Sequence, residues 1–217
     1  MATAGKIFLG LWIAACIAAT FLYLPPAQGF RAEELARILA FHLPNAMVVI
    51  VAAVAAGVHA FRYLTRGRNP LDDIKSKNAA ALAAVFCILT TVTGMVFAKV
   101  QWGEPWNWDP KQTCIFLLLL IYAAYFVLRA GIENLDKRGA VGAVYILFAA
   151  VMTPLLGYVV PKYLPSLHPT NTKMDASYHL VIWSATAGFL GLYAWIHNLS
   201  VRADWANYRL ASAEDEE

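Results

Sequence analysis

The chain has 217 residues, of which 60% are hydrophobic and only 14% charged, whereas a soluble domain of this size carries about a quarter charged residues. A mean hydropathy of +0.55 marks an integral membrane protein, and the length suits one compact bundle, so residues 1–217 read as a single transmembrane domain. A formal net charge of only +3 gives no reason to expect nucleic acid as a partner.

The first apolar run, Ile7 to Leu24, follows Lys6 and precedes the small residues Ala27 and Gly29, as in a secretory signal. Its 18 residues exceed the usual 7–15-residue signal core and are long enough to span. It is read as a retained first helix. Next comes FRAEELARILAFH (30–42), where Leu35, Ile38, Leu39 and His42 share one helical face. That pattern predicts an amphipathic helix lying on the outer surface and delivering His42 on its apolar side. Five further runs without Asp, Glu, Lys or Arg occur at about 44–61, 79–98, 113–128, 139–160 and 180–199. Lipid offers no partner for an open backbone, so each run is expected to be a helix. The predicted fold is all-α: a six-transmembrane-helix bundle with an outer amphipathic helix and a Trp-rich loop at 99–112.

Two boundaries carry local signals. Asn69-Pro70 reads as an N-cap with proline at the first helical position, starting helix three well before its apolar run. Asp109-Pro110-Lys111-Gln112 reads as a capping box opening helix four. The cysteines Cys16, Cys87 and Cys114 are odd in number, share no CxxC spacing and lie in or beside apolar runs. They read as small hydrophobes rather than a redox pair.

Alternate connections divide the basic residues. Lys6, Arg62, Arg66, Arg68, Lys75, Lys77, Arg129, Lys137, Arg138, Arg202 and Arg209 fall on one side; Arg31, Arg37, Lys99, Lys111, Lys162 and Lys173 fall on the other. The richer side is expected to be cytoplasmic, with both termini on it and the Trp-rich loop outside. His59 and His197 then lie near the cytoplasmic ends of their helices and read as hydrogen-bonded edge residues. His42, His168 and His179 lie outside. His42 (FHLPN) and His168 (LHPTN) share a context, an apolar residue before and a proline within two positions after, which restricts the backbone and so the direction of a ligand. His179 is the weaker third candidate, since it also suits a helix end.

No two outer histidines have zinc-site spacing and no HExxH occurs, which argues against a structural or hydrolytic zinc centre. Between the histidines lies WGEPWNWDPKQT (102–113), with three indoles in seven residues, more than the general interfacial enrichment of tryptophan explains. Two imidazoles brought by distant connections to one aromatic surface suit a flat, apolar, iron-containing ring. Arg37, one turn and a residue before His42, is a candidate partner for acidic groups on such a ring; Lys111 and Lys173 lie on the same side.

These residues resemble the cytochrome c assembly proteins that handle heme. WGEPWNWDPKQT resembles their tryptophan-rich WWD signature, while ARILAFHLPNA and PSLHPTNT resemble the segments carrying the two outer histidines of the heme exporter protein C (CcmC) branch. The match covers roughly residues 31–200. The resemblance implies that His42 and His168 hold heme b at the outer, periplasmic face of the bacterial inner membrane. It also implies that Trp102, Trp106, Trp108 and Asp109 present the heme to the chaperone CcmE, with the ABC-type subunits CcmA and CcmB and the small membrane protein CcmD as partners. The implied role is delivery, not enzymatic catalysis. Two features depart from the branch: Glu104-Pro105 stand where adjacent tryptophans are usual, and WDPKQT leans towards the CcsA-like synthase branch. That branch is longer, with more spans and a further histidine pair inside the membrane. An ion-coupled transporter, the alternative from another class, would place charged residues within the spans, and all six apolar runs lack them.

Overall fold

The computed structural model describes residues 2–168 and 174–214; residues 169–172 of the second histidine segment and the candidate cation Lys173 lie outside them. Six helices are long and apolar enough to cross a membrane, and no strand occurs among the described residues. They are α1 (Thr3–Leu22), α2 (Leu39–Thr65), α3 (Pro70–Trp102), α4 (Pro110–Ala130), α5 (Leu135–Pro154) and α6 (Ala176–Glu214). A π-helical turn (Leu155–Val159) and a final turn (Val160–Lys162) prolong α5. The protein is an all-α, six-helix integral membrane bundle. Each expected run coincides with one helix, and most helices run longer. Charged residues such as Asp72 and Lys77 end an apolar run without ending a helix, so α3 reaches 33 residues and α6 39. The start of α3 is as expected: Leu71 N–H donates to Asn69 Oδ1 at 3.0 Å, with Pro70 in the first turn.

The partition of side chains is that of a protein in lipid. Leu11, Val54, Val92, Leu120, Val151 and Leu180 are exposed, while Ala52, Ala56 and Ala60 of α2 are buried in one cluster with Ala79, Ala80 and Ala83 of α3. Lipid tails are as apolar as leucine, so small residues that let backbones approach drive helix association. At Gly57 the α2 backbone comes close to α5: a Cβ there would lie 2.8 Å from Ala150 Cβ. α1 rests on α6, where Trp12 Nε1–H donates to Ser184 Oγ at 3.0 Å.

Residues 30–42 form no separate surface helix. Glu34–Ile38 is a 3-10 turn that runs directly into α2, which starts at Leu39 rather than 44 and carries His42 in its first turn. The packed side presents Ala36 and Ala40, both 0% exposed, whereas Leu35 of the expected apolar face is 58% exposed. The large side chain faces outward at no loss in lipid, and the small ones fit against neighbours. Gln101 at the end of α3 clamps this turn: Ala32 N–H donates to Gln101 Oε1 at 3.1 Å, and Gln101 Nε2–H donates to Ala32 O at 3.0 Å. The beginning of α2 is thereby fastened to the end of α3, the Trp-loop end of the bundle.

Candidate functional site

His42 points from α2 onto α3. Its Nδ1 lies 3.0 Å from Thr93 Oγ1, and Thr93 Oγ1–H donates to Leu89 O at 2.7 Å, within its own helix. A hydroxyl has one proton. With that proton on Leu89 O, Thr93 accepts from His42 Nδ1–H, so the lone pair of the neutral imidazole resides on Nε2. The ring lies over Gly94, where a Cβ would sit 3.0 Å from His42 Cε1. Pro44, buried two residues later, removes one backbone donor from the second turn of α2.

Asp109 organises the other half. Its Oδ1 accepts from Lys111 N–H at 2.9 Å, capping α4 as expected. The same carboxylate takes His168 Nδ1–H at 3.0 Å on Oδ1, and Ser166 Oγ–H at 2.8 Å and Leu167 N–H at 2.7 Å on Oδ2. Burial pushes the Asp109 carboxyl up, but the hydrogen bonds from Ser166, Leu167 and Lys111 outweigh it and hold the group below the usual carboxylate value. Burial lowers the His168 pKa, Lys111 lowers it further, and Asp109 only partly opposes them, which favours the neutral imidazole. Its Nδ1–H on Asp109 leaves the lone pair on Nε2, the tautomer that a carboxylate behind a metal-binding histidine imposes.

The loop between α3 and α4 holds this constellation. Gly103 ends α3 in the left-handed region at φ +93°, its N–H donating to Lys99 O at 3.1 Å. Gln112 does not close the expected capping box. Its Oε1 instead accepts from Asn107 N–H at 2.8 Å and its Nε2–H donates to Pro105 O at 3.2 Å, because the loop folds back over the first turn of α4 and offers nearer partners. Trp108 adopts φ +56°, a conformation that costs a non-glycine residue about 1–3 kcal/mol and persists only where surrounding contacts over-determine it.

The sequence-predicted residues fall into distinct positions. Trp102 stands edge-on to His168, ring centroids 4.9 Å apart, and packs on Phe97 at 5.5 Å. Trp106 and Trp108 form a separate group on Phe116 of α4, their centroids 5.7 Å apart, with Trp108 68% exposed. His42 and His168 lie within Coulombic range of one another, and Lys111 lies within range of both. Arg37 is otherwise engaged: Nε–H and Nη2–H donate to Leu24 O at 3.1 and 2.8 Å, and Nη1 pairs with Glu34 at 2.8 Å. Those contacts staple the connection from α1 to α2. His179 is exposed at the start of α6. At the opposite end, His59 bonds Asp72 at 3.3 Å and His197 Nε2–H donates to Lys75 O at 3.0 Å, edge contacts as expected; their rings stack at 6.2 Å.

Thr93, Gly94 and Ser166 join the site unforeseen. Ser166, two residues before His168, accepts His168 N–H at 3.1 Å, a local turn that the spacing could have disclosed. Thr93 and Gly94 meet His42 only through the register of α2 on α3. Among the described residues no group of three or more His, Cys, Asp or Glu could hold a metal ion, so a caged ion finds no donor set there. Two imidazoles with Nδ1 engaged, and with no hydrogen-bond partner on either Nε2 among the described residues, suit a planar metal complex that needs only axial donors.

The family model of heme exporter protein C matches residues 2–215. Heme exporter protein C of Paracoccus denitrificans is 27% identical over 225 residues, covering 98% of this chain and 92% of that protein. The Rhodobacter capsulatus protein of the same name is 28% identical over 232 residues, covering 100% and 94%. Cytochrome c biogenesis protein CcsA of Panax ginseng is 35% identical over 72 residues, only 33% of this chain and 22% of that protein. Near-complete coverage against a shared third decides between the two branches: the chain belongs to the heme exporter protein C family of cytochrome c biogenesis.

Proposed function

We propose that this protein holds heme b at the periplasmic face of the bacterial inner membrane, with both termini cytoplasmic, and presents it to the heme chaperone CcmE. In this reading it works with CcmA, CcmB and CcmD and is a delivery protein, not an enzyme. His42 and His168 would hold the iron through Nε2. Trp102 borders the His168 side, and Trp106 and Trp108 extend the apolar surface, each Å² removed from water contributing about 25 cal/mol. Lys111, within range of both imidazoles, is the better placed partner for a propionate, since Arg37 is engaged elsewhere. Heme would supply the iron, and the protein position, donor tautomer and an aromatic surface.

The observation that carries this reading is the matched state of the imidazoles, each with Nδ1 tied back to the scaffold and Nε2 left for a metal. The test is to purify the full chain in detergent and compare His42→Ala, His168→Ala and the double variant by absorbance, oxidised and reduced. Each single variant is expected to lose most of the copurifying heme and the double variant all of it. Full heme with an unchanged Soret band in both single variants would overturn the ligand assignment. Recovery of CcmE with the wild-type chain tests the presentation step; recovery of apocytochrome alone would favour a synthase.

A further inference from the structure

The two imidazoles are backed by unlike partners. Behind His168 stands Asp109, a carboxylate 4% exposed and held ionised by its surrounding donors. Behind His42 stand neutral groups: Thr93, a hydroxyl whose proton is already committed to Leu89 O, and the backbone carbonyl of Thr90. An imidazole whose N–H leans on a carboxylate becomes more basic at its other nitrogen and a stronger donor to a metal; one leaning on an alcohol gains far less.

Their supports differ as well. His42 belongs to a spanning helix and the Cε1 edge of its ring abuts the backbone at Gly94, so it cannot follow a departing cargo. His168 follows α5 in a connection whose described residues are tied to the site through the Asp109 carboxylate, with Trp102 at its edge and the exposed Trp108 in the same connection as Asp109. We propose that the grip is unequal by construction: His168 is the strongly donating, retained ligand and His42 the exchangeable one, with Asp109 and Thr93 as the positioning residues that set the difference. The proposal rests on the heme reading above. Were heme held there, its release would start at His42 Nε2, the weaker donor, whose place a nitrogen lone pair of the acceptor would take with no electron transferred, and His168 would be the group that holds it until the acceptor is engaged.

Carbon monoxide on the reduced full chain is the probe, each variant being loaded by added heme rather than by what copurifies, because it replaces one iron donor and its Fe–C stretch reports the donor that remains. The wild-type adduct is expected to match those of His42→Ala and Thr93→Val and to differ from that of His168→Ala. Asp109→Asn, which keeps an acceptor but removes its charge, is expected to move the Fe–C stretch up and the heme midpoint potential positive. Asp109→Glu is expected to restore both in part. A wild-type adduct matching His168→Ala would overturn the proposal, as would a shift in Thr93→Val with none in Asp109→Asn. Should Asp109→Asn lose its heme, the adducts of the two histidine variants decide alone. Failure of the heme reading looks different: neither histidine variant then changes the heme spectrum at all.

Discussion

A ligand on a spanning helix needs room on the neighbouring helix as much as it needs a lone pair. At His42 that room comes from a missing side chain. A Cβ on residue 94 would lie 3.0 Å from His42 Cε1, and the ring cannot retreat because its Nδ1 is bound one residue earlier, at Thr93. Gly94→Ala therefore tests the ring's position directly. Alanine gains about 1 kcal/mol over glycine in a helix, while pressing a methyl group into a packed interface costs about 1–3 kcal/mol. The net effect on stability is small, but the imidazole must shift by a few tenths of an ångström. The expected outcome is near-normal thermal unfolding with less heme retained per folded protein. If heme content and Soret position both matched wild type, the ring would not lie where it is described.

At the scale of the element, the connection from Gly103 to Asp109 is a built loop. Gln112 holds it from inside α4 through Asn107 N–H and Pro105 O, and Asp109 holds its end. Removing the Gln112 side chain forfeits two hydrogen bonds at about 1 kcal/mol each. Gln112→Ala should leave α4 intact, because its cap is Asp109, and loosen the loop alone. Hydrogen exchange is expected to accelerate at Asn107 and its neighbours without acceleration in the middle of α4; faster exchange throughout α4 would contradict the division of labour. The helix starts at Asn69-Pro70 and Asp109-Pro110 were legible because capping is chemistry between adjacent residues. The partner of Gln112 was not, because the loop's own carbonyl and amide compete for it. The face of residues 30–42 was misjudged because the apolar-stripe rule assumes water, and in lipid Leu35 turns outward while Ala36 and Ala40 pack. His42, His168 and the loop tryptophans stood out by type and context. The contact of Asp109 with His168 joins positions 59 apart, and only the folded chain reveals it.

Across the whole molecule, the two ends have different tasks. At the end bearing the termini, a cavity of about 850 Å³ is lined by two ion pairs, Asp73 with Arg129 and Lys77 with Asp204, and by no histidine. Arg129 makes two bonds to Asp73, at 2.7 and 2.8 Å, with its side chain 9% exposed and lying over the Tyr125 ring at 5.7 Å. This pair ties α3 to α4 at the end opposite the histidine site, and Gly142 of α5 gives Arg129 its space. Removing one partner strands a largely buried charge and costs about 3 kcal/mol, whereas replacing both with apolar side chains of similar size is close to neutral. Arg129→Met is thus expected to lower the thermal unfolding temperature clearly, and Asp73→Leu added to it to recover most of the loss. Neither should move the Soret band of the folded fraction, since the pair touches nothing in the imidazole constellation. A stable single variant would show that the pair is not buried in the membrane-embedded protein. A displaced Soret band would show instead that the two ends are mechanically coupled, α3 being the one helix that carries both Asp73 and the Thr93–Gly94 seat of His42.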